Sequence, residues 1–184
     1  KQSATCGHLV GMDTDNREQA ASRALTIALR TAAGITGDRE SASDIAQEVA
    51  LDVLKSLDQL RDPAAFDAWV RKIAVRRTLR VLRRQRAGPG VVPLGLETEF
   101  VDVPVDEPDR DLAIAARGAL SQAMLTLPPR QRVALVLRYV HDLTDREIAD
   151  ALDCRRGTAN ALLSRARAAL RESTALKDLV SEME

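Results

Sequence analysis

Residues 87–111 constrain this chain more than any other segment. They carry Pro89, Pro93, Pro104 and Pro108, four of the seven prolines, together with Gly88, Gly90 and Gly95. Proline lacks a backbone donor and glycine loses the most freedom on ordering, so the segment reads as an extended linker. On both sides the sequence turns rich in Ala, Leu and Arg. Aromatics are only 2% of the chain, with Phe66, Trp69, Phe100 and Tyr139 the full set, which argues for helix over sheet. The 45% hydrophobic fraction is enough to bury a core and excludes wholesale disorder. The expected fold is therefore all-α, two helical domains joined by an extended acidic, Pro-rich linker. The expected boundaries are 1–16 for a flexible lead, 17–86 for the first domain, 87–111 for the linker, 112–172 for the second domain and 173–184 for a tail.

The formal net charge is zero, but the charges are segregated. Residues 87–116 hold one basic and seven acidic groups, whereas 20–86 hold thirteen and eight, and 117–172 hold ten and six. Two basic blocks flanking an acidic one suggest two anion-binding modules on a linker that avoids anions or imitates one; solvated helix faces are the plainer alternative for either block alone. Two cysteines, Cys6 and Cys154, cannot form a disulfide scaffold, which favours a reducing cytoplasm. No apolar run approaches the ~20 residues of a membrane span and no signal-peptide core is present, so a cytoplasmic protein without membrane insertion is expected. Cys6 and His8 have no further ligands nearby, and no P-loop, Ser/His/Asp order or paired carboxylates occur. Neither a metal, a cofactor nor an enzyme activity is expected. His141 reads as a helix-end cap and Cys154 as a small apolar filler.

The hydrophobic pattern predicts a first helix over Arg17–Ala33, with Leu25, Ala28, Leu29 and Ala32 inward and Gly34 as its stop. A second helix is predicted from about Ser41, capped by Ser41-Ala42-Ser43-Asp44, with Ile45, Val49, Val53 and Leu57 on its stripe. Pro63 is placed to open a third, from Ala64 to about Arg86, with Phe66, Trp69, Val70 and Ile73 as early core positions. In the second domain helices are predicted over Leu112–Leu127, Pro129–Val140, Thr144–Leu152 and Thr158–Arg171. The last two, joined by Asp153-Cys154-Arg155-Arg156-Gly157 and opened by the capping box Thr144-Asp145-Arg146-Glu147, form a helix-turn-helix candidate. If Ala159, Leu163, Ala166 and Leu170 pack inward, Asn160, Ala161, Ser164 and Arg165 project together, where a recognition helix meets base edges. The third helix supplies the other signal, eight basic and no acidic residues between Arg71 and Arg86. A solvated helix normally mixes signs, so this one asks for a polyanion, and the scarcity of aromatics favours phosphate holding over base stacking.

Four stretches, in order, carry a family likeness: Ser43-Asp44-Ile45-Ala46-Gln47-Glu48-Val49; Phe66-Asp67-Ala68-Trp69-Val70-Arg71-Lys72-Ile73-Ala74; Leu127-Pro128-Pro129-Arg130-Gln131-Arg132; and Thr144 to Ala151 with Gly157-Thr158 and Ser164-Arg165-Ala166-Arg167. Over roughly residues 20–172 the chain resembles a bacterial RNA polymerase sigma factor of the extracytoplasmic-function (ECF) type. The resemblance implies that Asp44, Gln47 and Glu48 dock on core RNA polymerase. It also implies that Arg71, Lys72, Arg76, Arg77, Arg80, Arg83 and Arg84 lie on the helix that opens and reads the −10 promoter element. Arg155, Arg156, Thr158, Asn160, Ala161, Ser164 and Arg165 would serve the −35 element. Arg155 and Arg156, before the recognition helix, suit phosphates, whereas Asn160 suits an adenine edge. Arg76 and Arg80 stand where the family often has Asn and a polar or acidic residue, and Asn160 and Leu162 replace common basic residues. The family also implies an anti-sigma factor as a frequent partner, and a linker threaded through polymerase.

A free coil of this linker's length would average about 28 Å end to end, against an extended limit of about 80 Å. Promoter elements about 16 base pairs apart need roughly 55 Å, so a groove on polymerase would have to stretch it. The expected function is thus promoter recognition and melting for transcription initiation, with polymerase doing the chemistry. Two rivals are a stand-alone repressor or activator using only the second domain, and an adaptor whose basic helices bind acidic proteins. The Asp44/Gln47/Glu48 surface argues against the first.

Overall fold

The computed structural model describes residues 14–87 and 110–177, and the side chains of 14–85 and 114–177. The expected lead 1–16 lies almost wholly outside the described residues, and so does nearly all of the linker 87–111. All the regular structure among the described residues is helical. The helices are α1 (Thr14–Thr36), α2 (Arg39–Ser56), α3 (Phe66–Ala87), α4 (Arg110–Thr126), α5 (Pro129–Tyr139), α6 (Asp145–Ala151) and α7 (Arg156–Arg171). Two short 3-10 turns, Leu57–Gln59 and Pro63–Ala65, lead from α2 into α3.

α1 passes through Gly34 and stops at Gly37, whose φ of 69° is left-handed and open to glycine without strain. The inward stripe of α1 is also displaced from its expected position. Ala24, Ala28, Thr31, Ala32 and Ile35 are buried, whereas Leu25 and Leu29 are 40% and 37% exposed. Small residues let α1 approach the Ala42/Ile45/Ala46/Val49 face of α2 closely, and the two leucines are left at the rim. The cap of α2 lies upstream of the expected Ser41 box. Asp38 accepts from the Ser41 N–H at 2.8 Å, and the Ser41 side chain first, then the Ser41 and Glu40 backbone N–H groups, hold its carboxyl below the usual range. Pro63 opens a 3-10 turn capped by Asp62, and α3 proper begins at Phe66. Val70 and Ala74 bury as a core stripe with Phe66, while Trp69 and Ile73 are half-buried.

α5 is the centre of the molecule. Arg132 and the run Val133-Ala134-Leu135-Val136-Leu137 are all buried, as a helix covered on every side requires. One side packs on α6 and α7, the other on α1 and α3. The apolar core of the second domain therefore continues into Ile35, Val75 and Leu82 of the first. The pattern of either domain read separately does not reveal this closure, because Ile35, Val75 and Leu82 look like any other core positions.

Candidate nucleic-acid interface

The α6–α7 unit is built from its caps. The Thr144 hydroxyl takes the Glu147 N–H at 3.4 Å, and the Glu147 carboxylate takes the Thr144 N–H at 2.8 Å. The hydrogen bond from the Thr144 hydroxyl, at 2.6 Å, holds the Glu147 carboxyl below its ordinary range. Arg130 closes the other end of α6 by donating to the Leu152 carbonyl at 3.1 Å, where a cation meets the negative end of the helix dipole. The turn then passes through Asp153 at φ 51°, and Cys154 packs half-buried against the core. α7 buries Ala159, Leu163 and Ala166, with Leu170 half-buried. Thr158, Asn160, Ser164 and Arg165 consequently stand exposed, with Ala161 half-buried among them. Arg155 and Arg156 are exposed at the positive start of the helix, where phosphate binding is favoured.

On α3 the cations fall into three groups. Arg76, Arg80, Arg83 and Arg84 are exposed, and their spacing puts them on one stripe. Arg77 is turned away: its guanidinium lies 3.0 Å from Glu48 and pairs with Asp52, both on α2. The Asp52 hydrogen bond keeps that guanidinium more firmly protonated than an ordinary arginine. Arg71 and Lys72, near the start of α3, are half-buried where Leu143, Glu147 and Asp150 of the second domain face them across a groove that Trp69 also lines.

The third surface lies on α2, where Asp44, Gln47 and Glu48 are all exposed beside the buried Ile45 and Val49. Leu51, 55% exposed, continues the same face one turn on; the sequence reading overlooked it, although its spacing from Asp44 and Gln47 would have found it. His141, expected as a cap, is instead a domain contact. Thr31 spends its hydroxyl proton on the Ile27 carbonyl at 2.7 Å, so His141 Nε2–H donates to Thr31 Oγ1 at 2.8 Å. Burial, then the charges of Arg71 and Arg30, lower the His141 pKa to about 4.

Comparison with known proteins places both basic blocks in one family. Residues 21–88 match the family model for Sigma-70 region 2, and residues 117–170 match the model for Sigma-70 region 4. The RNA polymerase sigma-E factor of Streptomyces antibioticus is 30% identical over 151 residues, 82% of this chain and 80% of the relative. The ECF RNA polymerase sigma factor SigW of Bacillus subtilis is 27% identical over 150 residues, 78% of this chain and 79% of the relative. Among solved structures, the sigma factor RpoE from Bartonella quintana, in complex with the anti-sigma factor NepR, superposes with a TM-score of 0.68 at 20% identity, covering 89% of this chain and 98% of that one. With both conserved regions present in order and similarity running across most of its length, this chain belongs to the sigma-70 family as an ECF-type RNA polymerase sigma factor.

Proposed function

We propose that the chain recruits core RNA polymerase through the α2 face, holds and opens the −10 element along α3, and reads the −35 element with α7. Asp44, Gln47 and Glu48, extended by Leu51, form the docking face. Arg76, Arg80, Arg83 and Arg84 hold phosphates along the −10 element, with Arg71 and Lys72 at its head, while Arg77 braces α3 against α2. Arg155, Arg156 and Thr158 position the −35 duplex, Asn160 and Arg165 face its base edges, and Ser164 and Ala161 allow close approach. The chain directs promoter recognition for initiation and contributes no catalytic group; polymerase supplies the chemistry in the cytoplasm. An anti-sigma factor is a fitting regulatory partner.

The observation that carries this reading is the presence of three outward faces, polar on α2 and basic on α3 and α7, on one chain. A lone repressor has no use for the first. Run-off transcription with core polymerase on promoter fragments tests it. The expected result is a chain-dependent transcript that disappears with Asp44→Arg plus Gln47→Arg, a pair that spares the Glu48–Arg77 bridge. A folded double variant that still co-purifies with core polymerase would overturn the docking assignment.

A further inference from the structure

Arg167, on the exposed side of α7, is fastened to another helix. Its Nε donates to the Tyr139 hydroxyl at 3.0 Å, and its guanidinium carbon lies 5.8 Å from the centre of the Tyr139 ring. Tyr139 ends α5 and is 63% exposed, more than any other large apolar side chain among the described residues. Such a contact in water adds little to stability, so its value lies in where it puts the guanidinium. Arg138, the residue beside Tyr139, is by contrast tied to the carboxylate of Asp145. No carboxylate pairs with Arg167 among the described residues. With Nε spent on the tyrosine, the two Nη groups remain as a planar fork of donors, the geometry that suits a phosphate.

The place of Arg167 on α7 points the same way. Asn160, Ser164 and Arg167 follow one another at steps of one helical turn, and all three are exposed. A rise of about 1.5 Å per residue carries Arg167 roughly 10 Å along the axis from Asn160. The major groove is about 12 Å wide, so with Asn160 at the base edges Arg167 arrives at the groove wall, where the phosphates stand.

We propose that Tyr139 is a positioning residue that aims Arg167 at a phosphate flanking the −35 element, so that α5 as well as α7 sets how the duplex sits. The proposal rests on the reading of α7 as the −35 helix. The added contact carries no sequence information itself; it fixes the register in which Asn160 and Arg165 meet the bases. A free arginine gives up rotamer freedom when it binds. Tyr139 has restricted Arg167 beforehand, so more of the phosphate attraction is realised as affinity.

The test uses holoenzyme assembled from the full chain and core polymerase, on a duplex that wild-type holoenzyme recovers from a pool randomised at −35. Arg167→Ala should weaken binding roughly three- to tenfold and lower the salt slope by up to ~0.9, with the preferred −35 sequence unchanged. Tyr139→Ala should cost roughly threefold or more, and Tyr139→Phe, which removes only the acceptor oxygen, about twofold. In the Arg167→Ala background neither tyrosine change should cost anything further, because a positioning residue has no effect once its object is gone. Thermal unfolding of the free variants should stay close to wild type, since both side chains are exposed. Unchanged affinity and slope in Arg167→Ala overturn the proposal and leave the −35 reading standing, because the wild-type selection has then succeeded. A changed preferred sequence would put Arg167 at a base edge and overturn it too. So would a tyrosine loss of equal size with and without Arg167, the mark of a residue acting on its own account. A wild-type selection that yields no preferred −35 sequence overturns the reading of α7, and this proposal with it.

Discussion

Arg77 shows how one basic run divides between two tasks. Its neighbours Arg76, Arg80 and Arg84 face outward, but its own charge is shared with Glu48 and Asp52. Arg80→Ala or Arg84→Ala should therefore lower the salt slope of holoenzyme–promoter binding by up to ~0.9 each, whereas Arg77→Ala should leave the slope unchanged and weaken core binding or stability instead. Titration of open-complex formation against salt, beside a denaturation curve, separates the two. On α7 the expected base reader is Asn160. A selection from randomised −35 sequences with Asn160→Ala should lose one adenine preference, equivalent to ~1–3 kcal/mol, and an unchanged preferred sequence would remove Asn160 from the reading set. At this scale the inner and outer sides of α7 were legible because a strict helical period separates Ala159, Leu163 and Ala166 from Asn160 and Ser164. The partner of Arg77 was not legible, because nothing in a basic run says which member turns towards a neighbouring helix.

Among the elements, α6 depends most on its cap. A seven-residue helix nucleates poorly, so the Thr144–Glu147 box and the Arg130 contact hold much of its geometry. Thr144→Ala should cost about 1 kcal/mol in urea unfolding and weaken −35 binding in parallel, since α6 positions α7. The capping box could be read directly from Thr144 and Glu147. Other ends were less readable. α2 is capped by Asp38 rather than Ser41 because both residue types cap well and only the chain path chooses between them. α1 continues through Gly34 because a glycine inside a helix is tolerated where a neighbour needs the space, here Val136.

For the molecule as a whole, domain count and order followed from the proline-rich break, but the closure between domains did not. Sequence periodicity marks a buried face without naming what buries it, and α5 is buried on every side. Closure also brings a pH dependence. His141 faces Arg30 and Arg71 as well as Asp67 and Asp142, and its proton affinity in the closed form is below that of an exposed imidazole. The stability linked to neutral His141 is present above the ordinary value near 6.5 and is lost as pH falls from there towards about 4. Small-angle scattering of the free chain should show expansion between about pH 7 and about pH 5, and His141→Gln should remove that step. Equal expansion in both proteins would place the titrating group elsewhere.

The groove between α3 and α6 has a spectroscopic consequence. It is lined by Trp69, the single tryptophan of the chain, half-buried against the second domain. Indole emission shifts to longer wavelength and becomes open to aqueous quenchers when the ring meets water. The untagged protein thus carries an intrinsic fluorophore at its own seam, and a stopped-flow drop in pH in the presence of iodide can time the parting of the domains without any added label.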